Sequence, residues 1–319
     1  MAGPEPNTFG TIDIGSNGVR FFIGRLQRGR TQVLVDHREP IRLGQDSFRD
    51  GRISPRMVHR LVQSFLEFRR HAEAHGVLHW QAVATSALRD SRNRTEVVQE
   101  IWRRTGVHIE VIDGLTEARL LHLAVQRSMP LGTRHALLFD LGGGSLEIIS
   151  ARGARIQHAT SLKLGTVRLL KRGGVDSPYS TYQALIHREL EDLVQTCADP
   201  FQQLIKPQLL IGTGGNLRAL TRLSARLHHH PIRPQLSIDE LEHMTELLFR
   251  LSLVKRRKQL RLKPNRADVI RPAAAIALEI MRNFNFTRLT IPNVGIKNGV
   301  FWKLAEAVTA GRTNRALHL

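Results

Sequence analysis

Several features that would assign a protein to a common functional class are scarce in this sequence. Its 319 residues include one cysteine, Cys197, which excludes an internal disulfide and is most simply interpreted as an incidental thiol. No stretch approaches the roughly 18 uninterrupted apolar residues of a membrane-spanning helix, and the start, MAGPEPNTFG, lacks a basic segment followed by an apolar run. We therefore expect a soluble, cytoplasmic protein without a membrane partner.

Aromatic and acidic residues are also few. Aromatics make up 5% of the chain, too little to supply stacking platforms for single-stranded nucleic acid, and zinc-finger, helix-turn-helix and RNP signatures are absent from the sequence. Asp and Glu number 28 against 47 Lys and Arg, which gives a formal net charge of +19. Such a charge attracts polyanions of any kind. We do not expect specific nucleic-acid binding. The densest basic run is KRRKQLRLK at 255–263, and its KRRK part is interpreted as a solvated helix face.

The same arrangement of elements occurs twice. TFGTIDIGSNGVRFFIGRL at 8–26 predicts a strand, a glycine turn and a second strand, and TQVLVDHREP predicts a third. RHALLFDLGGGSLEIISARG at 134–153 repeats the pattern, with ARIQHATSLKLG as its third strand. Alternating helices and strands follow each unit, including WQAVATSAL at 80–88 as a strand. An internal duplication of this kind predicts two domains, each with its own glycine turn.

The second glycine turn, in LLFDLGGGSLEIIS, has two interpretations. A hairpin needs one or two glycines for positive φ angles. A phosphate cradle needs more, because missing Cβ atoms let an anion approach backbone N–H groups closely while a carboxylate holds a counter-cation. The segment alone does not choose between them. The duplication favours the cradle, because two such turns facing each other would clamp a phosphate chain from both sides.

Three antiparallel strands followed by alternating helices and strands, performed twice, is the arrangement of actin, hexokinase and Hsp70. We predict an α/β fold of two ribonuclease H-like domains related by internal duplication, with an inter-domain cleft. Domain I is placed at residues 1–126, with a C-terminal helix at about 299–319 packing back on it. Domain II is placed at residues 127–298.

Six ordered segments narrow this resemblance to one family. The chain resembles the Ppx/GppA family of exopolyphosphatases and guanosine pentaphosphate phosphohydrolases over nearly its whole length. The segments are IDIGSNGVR (12–20), ATSALRDSRN (84–93), VIDGLTEAR (111–119), FDLGGGSLE (139–147), GTGGNLRAL (212–220) and ADVIRPAAAIALEIM (267–281). Long members of the family carry a further C-terminal helical domain, which a chain of 319 residues is too short to contain. The resemblance therefore implies the short, two-domain form.

The resemblance implies a catalytic base at Glu117. Hydrolysis of a phosphoanhydride needs a positioned water and neutralised charge on the transferred phosphoryl group. Many relatives have a second acidic residue where this chain has Thr116, so a single carboxylate remains. The alternative is structural, because a glutamate in the first turn of a helix offsets the helix dipole; Asp113 or Thr116 would then cap that helix.

Three carboxylates are candidates for holding a metal ion. Asp140 and Glu147 flank the triple glycine, and Asp13 is the equivalent of Asp140 in the first repeat. Hard oxygen ligands suit Mg²⁺, which usually keeps several of its waters. We therefore expect Mg²⁺, or Mn²⁺, as the cofactor.

The glycine turns and two arginines are the expected phosphate-binding groups. Arg20 and Arg89 match basic positions of the family motifs, and guanidinium forks suit phosphate, although arginines are often simple surface residues. Gly214 and Gly215 follow the strand PQLLI and open a helix, whose N-terminus suits an anion. The backbone N–H donors are expected from Gly142, Gly143, Gly144 and Ser145 in one turn and from Ser16, Asn17 and Gly18 in the other.

The chain departs from the family pattern at several of these positions. Most relatives have Ser where Gly18 stands, which removes one hydroxyl donor. Arginine and glutamate are usual at the positions of Lys297 and Asn298. These departures, with Thr116, bear on whether the bound ligand is turned over.

We expect an Mg²⁺-dependent exopolyphosphatase that releases orthophosphate from the end of inorganic polyphosphate, to which the basic charge is suited. One alternative is the same chemistry on guanosine pentaphosphate. Another is a non-catalytic sensor of polyphosphate or an alarmone, and a sugar or acetate kinase shares the architecture but not the six segments. A homodimer is left open.

Overall fold

The structure, a computed structural model, describes residues 7–196 and 207–310. Cys197 and residues 311–319 of the predicted last helix lie outside the described residues. The chain divides into two compact units. The first contains the described residues up to Ala124 and those from Ile296 onward, and the second runs from Val125 to Gly295.

The first unit is built on a five-stranded sheet with strand order β3-β2-β1-β4-β5. Strands β1 to β3 are antiparallel, whereas β4 lies parallel to β1 and β5 parallel to β4. The strands are β1 (Thr8–Gly15), β2 (Gly18–Gln27), β3 (Arg30–Glu39), β4 (His79–Ala84) and β5 (Ile109–Val111). The helices are α1 (Leu43–Asp50), α2 (Pro55–Ala74), α3 (Ser86–Arg89), α4 (Arg94–Thr105) and α5 (Gly114–Ser128), the last of which continues into the second unit.

Helix α2 shows how local sequence sets an element. Ser54 accepts a hydrogen bond from the backbone N–H of Met57 at 3.4 Å, and Pro55 fills the first helical position. Apolar side chains recur at helical spacing after this cap and form the core beneath the sheet. Among them the Phe68 ring stacks on Phe21 of β2, with 4.7 Å between centroids.

The second unit repeats the plan with one strand more. Its six-stranded sheet has the order β10-β11-β9-β6-β7-β8, in which β6 to β8 are antiparallel and β9 lies parallel to β6. The strands are β6 (His135–Leu141), β7 (Leu146–Arg152), β8 (Arg155–Leu162), β9 (Leu209–Thr213), β10 (Gln235–Ser237) and β11 (Arg288–Thr290). The helices are α6 (Thr166–Gly173), α7 (Tyr179–Thr196), α8 (Leu217–Leu227), α9 (Ile238–Arg250), α10 (Leu253–Lys258), α11 (Pro264–Ala267) and α12 (Ile270–Asn283).

The two sheets have corresponding strand orders. Beginning from the third hairpin strand, β3-β2-β1-β4-β5 of the first unit corresponds to β8-β7-β6-β9-β11 of the second. The predicted α/β class and duplicated architecture are therefore confirmed. In the described residues, no helix is both long enough and apolar enough to cross a membrane.

One predicted element is wrong in part. WQAVATSAL was expected to be a strand throughout, but β4 ends at Ala84 and the short helix α3 begins at Ser86. The backbone N–H of Thr85 donates to the carbonyl oxygen of Ile14 at 3.2 Å, where β1 ends. Beyond that bond β4 has no strand partner, and the chain turns into the helix.

The last helix, α13 (Ile296–Thr309), packs on β1, β2 and β4 of the first unit. Its Phe301 ring meets Phe9 and Phe22 edge to face, with centroids 5.8 and 5.5 Å apart. The helix also approaches α5 closely at Gly299, where an added Cβ would lie 2.0 Å from the carbonyl oxygen of Leu120. Only glycine fits at this contact.

Replacing Gly299 by alanine should therefore destabilise the first unit. Overpacking against a backbone atom forces the two helices apart, and we expect the free energy of unfolding to fall by about 1–3 kcal/mol. Denaturant titration measures this change. Gly295→Ala is the matched control, since its Cβ would meet nothing within 4 Å. Equal destabilisation by the two variants would contradict the close helix contact.

Candidate active site

The first glycine turn is a tight hairpin that joins β1 to β2. Gly15 pairs with Gly18 and Asp13 with Arg20, so only Ser16 and Asn17 form the loop. Directly opposed residues of an antiparallel pair point to the same face. Half-buried Asp13 and Arg20 therefore present opposite charges side by side at the end of this hairpin.

The tip of the hairpin is fixed by two neighbouring elements. The backbone N–H of Gly44 in α1 donates to the carbonyl oxygen of Ser16 at 2.9 Å. The hydroxyl groups of Ser16 and Ser86 are hydrogen-bonded at 3.0 Å, and both side chains are buried. Ser86 lies in one of the six family-like segments, but its position beside Ser16 becomes visible only in the folded chain.

Three arginines surround this tip. Arg20 of β2 is directly opposite Arg38 of β3, and Arg42 follows shortly after β3. Burial, together with the positive charges of Arg20 and Arg42, lowers the pKa of Arg38 to about 10. The group is still protonated at neutral pH, and an anion placed here would relieve the repulsion among the three guanidinium groups.

Arg38 occupies the space left by the missing side chain of Gly18. Its Nη2 donates to the carbonyl oxygen of Asn17 in the turn. A Cβ at position 18 would lie 2.8 Å from this Nη2 and 2.9 Å from the carbonyl oxygen of Glu39. The departure at Gly18 thus removes a hydroxyl group and makes room for a guanidinium group, which sequence reasoning did not find.

Glu117 lies in the first turn of α5 and is buried with 3% exposure. Arg89 Nη1 donates to its Oε1 and also to the carbonyl oxygen of Ile112, the latter at 2.8 Å. Asp113, not Thr116, caps the helix: it accepts the Thr116 N–H at 2.7 Å, and this hydrogen bond lowers the pKa of Asp113. Two residues that were predicted separately, a base and a phosphate ligand, are thus an ion pair.

The second hairpin joins β6 to β7 and carries two facing carboxylates. Asp140 is directly opposite Glu147, and their exposed fractions are 8% and 1%. The Thr213 hydroxyl donates to Asp140 at 2.5 Å, and the Ser161 hydroxyl donates to Glu147 at 2.8 Å. In the first hairpin the equivalent pair is Asp13 and Arg20, so the facing acidic pair belongs to the second unit alone.

Between these carboxylates, the carbonyl groups of the triple-glycine loop point to helix α6. The Gly142 and Gly143 oxygens accept the backbone N–H groups of Thr166 and Val167 at 3.1 and 2.8 Å. The Gly144 oxygen accepts Arg168 Nε at 2.9 Å. This helix was not predicted from the sequence.

The direction of these carbonyls fixes the direction of the loop's donors. In a planar trans peptide the C=O and the next N–H point in opposite directions. The N–H groups of Gly143, Gly144 and Ser145 are therefore directed away from α6. The N–H of Gly142 is used inside the turn, where it donates to the Ser145 carbonyl at 3.2 Å. Of the four N–H groups predicted to bind phosphate, one is thus used within the turn and three are directed away from α6.

Two other glycines allow this arrangement. At Gly165 an added Cβ would lie 2.3 Å from the backbone nitrogen of Gly144, so only glycine lets α6 approach the loop. Gly214 has φ of +117°, and its Cβ would lie 2.6 Å from the carbonyl oxygen of Leu141. Gly214 and the half-buried Gly215 precede α8, in the position predicted for an anion-binding turn.

A polar network holds that turn to α6. Asn216 Nδ2 donates to the Thr166 hydroxyl at 3.0 Å, and Asn216 Oδ1 accepts Arg266 Nη1. Thr166 is the residue whose N–H binds Gly142. Asn216, Thr166 and Arg266 therefore support the loop from behind, and none of them was singled out in the sequence.

The metal prediction can be tested against the donor set. Within residues 7–196 and 207–310, no group of three or more His, Cys, Asp and Glu could hold a metal ion. Two facing carboxylates still fit Mg²⁺, which proteins often hold through one or two carboxylates, with water and substrate oxygens completing the octahedron.

Lys297, one of the positions at which the chain departs from the family pattern, contacts the sheet of the first unit. Its Nζ lies 2.6 Å from Asp36 and 4.6 Å from the centroid of the Phe22 ring, and its carbonyl oxygen accepts the Thr11 hydroxyl. These contacts fasten the start of α13 to β1, β2 and β3.

Comparisons with known proteins identify the family of the chain. The model of the Ppx/GppA phosphatase family matches residues 22–307. Exopolyphosphatase 1 of Mycobacterium tuberculosis is 26% identical over 309 residues, which are 95% of this chain and 89% of that protein.

Solved structures share the fold. A crystal structure of an exopolyphosphatase from Cytophaga hutchinsonii has a TM-score of 0.87 at 23% identity and covers 94% of this chain and 98% of its own. The Aquifex aeolicus member of the Ppx/GppA family has a TM-score of 0.78 at 23% identity, over 96% and 99% of the two chains.

Proposed function

Because this chain belongs to the Ppx/GppA phosphatase family and is a phosphoanhydride hydrolase, we propose that it is an exopolyphosphatase. The proposed reaction is the hydrolysis of the terminal phosphoanhydride bond of inorganic polyphosphate, with release of orthophosphate. Water attacks the terminal phosphorus, its proton passes to a carboxylate, and the bond to the rest of the chain breaks.

One observation carries the proposal. The Gly142–Ser145 loop has its carbonyls bound to α6 and three N–H groups directed the other way, beside the buried pair Asp140 and Glu147. Successive backbone N–H groups bind phosphate oxygens, and a carboxylate pair can hold the cation that accompanies a phosphate chain. A plain hairpin turn would need neither feature.

We assign Mg²⁺, or Mn²⁺, to Asp140 and Glu147. When bound, such an ion would neutralise charge on the phosphoryl oxygens. The hydroxyl groups of Thr213 and Ser161 orient the two carboxylates through hydrogen bonds. Asp13 faces Arg20 in the first unit, and we propose that it orients that arginine or a water.

We propose that Glu117 accepts the proton of the attacking water. Arg89 holds its Oε1, and a guanidinium group has further donors in the same plane with which to bind a phosphate oxygen. A phosphate that draws the Arg89 charge toward itself makes the Glu117 carboxylate a stronger base, because an adjacent cation disfavours protonation of a carboxylate. Substrate binding would thus prepare the base.

In the first unit we propose that Ser16, Asn17, Arg20 and the newly found Arg38 bind phosphate oxygens. If Arg38 is the important donor, restoring the serine that is usual in the family should harm the enzyme. We expect Gly18→Ser to raise KM for polyphosphate by about tenfold, the worth of one charge-assisted hydrogen bond, since the new side chain displaces the guanidinium group.

Gly18→Ala provides the matched comparison, because it adds the same Cβ without a hydroxyl. Displacement of Arg38 predicts the same KM for both variants. A KM for Gly18→Ser below that of the wild-type protein would show instead that the hydroxyl donor is the missing group.

The polymer is favoured over guanosine pentaphosphate as the substrate. Curated relatives that span almost the whole chain are named exopolyphosphatases, and a net charge of +19 suits a long polyanion. The same fold could also support binding without turnover, as in a sensor.

Orthophosphate release measures the proposal directly. The wild-type protein is assayed with Mg²⁺ on long-chain polyphosphate, tripolyphosphate and guanosine pentaphosphate. We expect the highest kcat/KM on long-chain polyphosphate. A higher value on guanosine pentaphosphate would reassign the substrate, and tight binding of polyphosphate without release under varied divalent ions would make the protein a sensor.

A further inference from the structure

One strongly charged surface of the second unit plays no part in the proposed site. Residues 251–267 contain no Asp or Glu, and their side chains include five exposed cations. These are Lys255, Arg257, Lys258, Arg261 and Lys263, which we call the basic surface. Within the described part of the chain none of the five forms an ion pair, whereas exposed Arg52 and Arg103 of the first unit pair with Glu96 and Glu100.

The segment that carries these cations is held rigidly. Arg256, in its middle, points inward and is 0% exposed. Its Nε donates to the carbonyl oxygen of Leu251 at 3.1 Å, and its Nη1 donates to that of Ala267 at 2.6 Å. One buried side chain thus ties the start of the segment to its end. Because the segment is already ordered, a ligand that binds the surrounding cations loses little free energy in ordering the protein chain.

The turn between α10 and α11 is strained. Arg261 has φ of +47°, the left-handed region that favours glycine and asparagine over other residues. A strained residue persists where the surrounding structure over-determines it, and such residues concentrate at ligand-binding positions. Here the strain places a guanidinium group at the exposed tip of the turn.

A chain of hydrogen bonds connects the end of this segment to the triple-glycine loop. Arg266, three residues after Lys263, donates to Asn216, which donates to Thr166, whose backbone N–H binds Gly142. All of these residues belong to the second unit. The basic surface and the loop therefore have fixed positions relative to each other within one unit.

We propose that the basic surface is a second binding site for a linear phosphate polymer and holds chain away from the end that is hydrolysed. The inference rests on the proposed function for its substrate. Residues 250–267 contain no aromatic side chain on which nucleic-acid bases could stack. A phosphate polymer has no bases and binds through its charge, which the five cations match.

Arg261→Gly tests the site with a matched control. Arg28→Gly makes the same substitution at an exposed residue with φ of +49°, in the β2–β3 turn of the first unit. KM is measured for long-chain polyphosphate and for tripolyphosphate. The quantity compared is the KM for long-chain polyphosphate divided by the KM for tripolyphosphate. We expect Arg261→Gly to raise this ratio by roughly threefold, within the range of one exposed charge, and Arg28→Gly to leave it unchanged.

A combined variant enlarges the effect. This variant adds Lys255→Gln, Arg257→Gln and Lys258→Gln to Arg261→Gly. We expect it to raise the same ratio by more than about tenfold. The KM for long-chain polyphosphate should also depend less steeply on salt concentration, since fewer counterions are released on binding. Thermal unfolding of Arg261→Gly should be unchanged or at a higher temperature, because glycine relieves the left-handed strain. A ratio that both single variants raise equally would show a general effect of net charge and overturn the site.

Binding separates this inference from the proposed function. Fluorescence anisotropy of labelled long-chain polyphosphate needs no turnover, so a protein that releases no orthophosphate still tests the basic surface. Weaker binding by the combined variant supports the site even then. Unchanged binding overturns it, and so does competition by single-stranded DNA at equal charge concentration, which would assign the surface to nucleic acid.

Discussion

Replacement of Glu117 by glutamine should lower kcat for orthophosphate release by about 10²- to 10⁴-fold, the usual contribution of a general base. Glutamine has the same shape and its amide oxygen can still accept the hydrogen bond from Arg89, so the protein should remain folded. What is lost is the carboxylate that takes the proton of the attacking water. Initial rates at saturating polyphosphate measure the effect, and circular dichroism verifies the fold.

Glu110→Gln is the control for this variant. Glu110 is an exposed carboxylate on the neighbouring strand β5 and accepts a hydrogen bond from Gln81 at 2.6 Å. It undergoes the same chemical change without contact to Arg89, and its kcat should stay within twofold of wild type, as is roughly expected of a surface substitution. A Glu117→Gln enzyme as fast as this control would exclude Glu117 from proton transfer.

Replacement of Glu147 by glutamine should raise the Mg²⁺ concentration needed for half-maximal rate by about 10- to 100-fold or more, since even residues behind the ligands have effects of that size. The change removes one of the two facing carboxylates and leaves Asp140 in place. The Mg²⁺ dependence of the rate measures the effect, and calorimetric titration of the metal gives a second value without turnover.

Glu279 offers a closely matched control in the same unit. Like Glu147, it is 1% exposed, and it accepts hydrogen bonds from Tyr179, Gln183 and His187 in the packing of α12 against α7. Glu279→Gln should lower the stability of the second unit, because a buried charged network is disturbed, but leave the Mg²⁺ requirement unchanged. The same shift in Mg²⁺ dependence for both variants would mean that the effect of Glu147→Gln is structural.

Local features could be predicted because their causes lie within a few residues. Ser54 and Pro55 start α2, and the capping box of Ser237 and Glu240 at the start of α9 involves only residues within one helical turn. The two hairpins are local in the same sense, since β1 and β6 lead directly into their partner strands. The register of the second hairpin then places Asp140, which was predicted as a metal ligand, directly opposite Glu147.

Contacts between residues far apart in the sequence could not be predicted. Helix α6 was missed, although it binds every carbonyl of the triple-glycine loop, because its short basic stretch has no signal that relates it to glycines 24 residues earlier. Arg38 was missed for a similar reason. Its contact with the Asn17 turn joins β3 to the β1–β2 loop, and only the space at Gly18 allows it.

By itself the sequence determined the family, the duplicated α/β fold, the phosphoanhydride chemistry and the two glycine turns, since apolar periodicity, turn residues and ordered motifs are properties of neighbours along the chain. The tertiary structure decided how the residues of the proposed site are arranged. It directed three N–H groups of the Gly142–Ser145 loop away from α6, joined Arg89 to Glu117, and placed Arg38 where a side chain is missing. Those outcomes depend on packing and hydrogen bonding between distant segments, which no local pattern encodes.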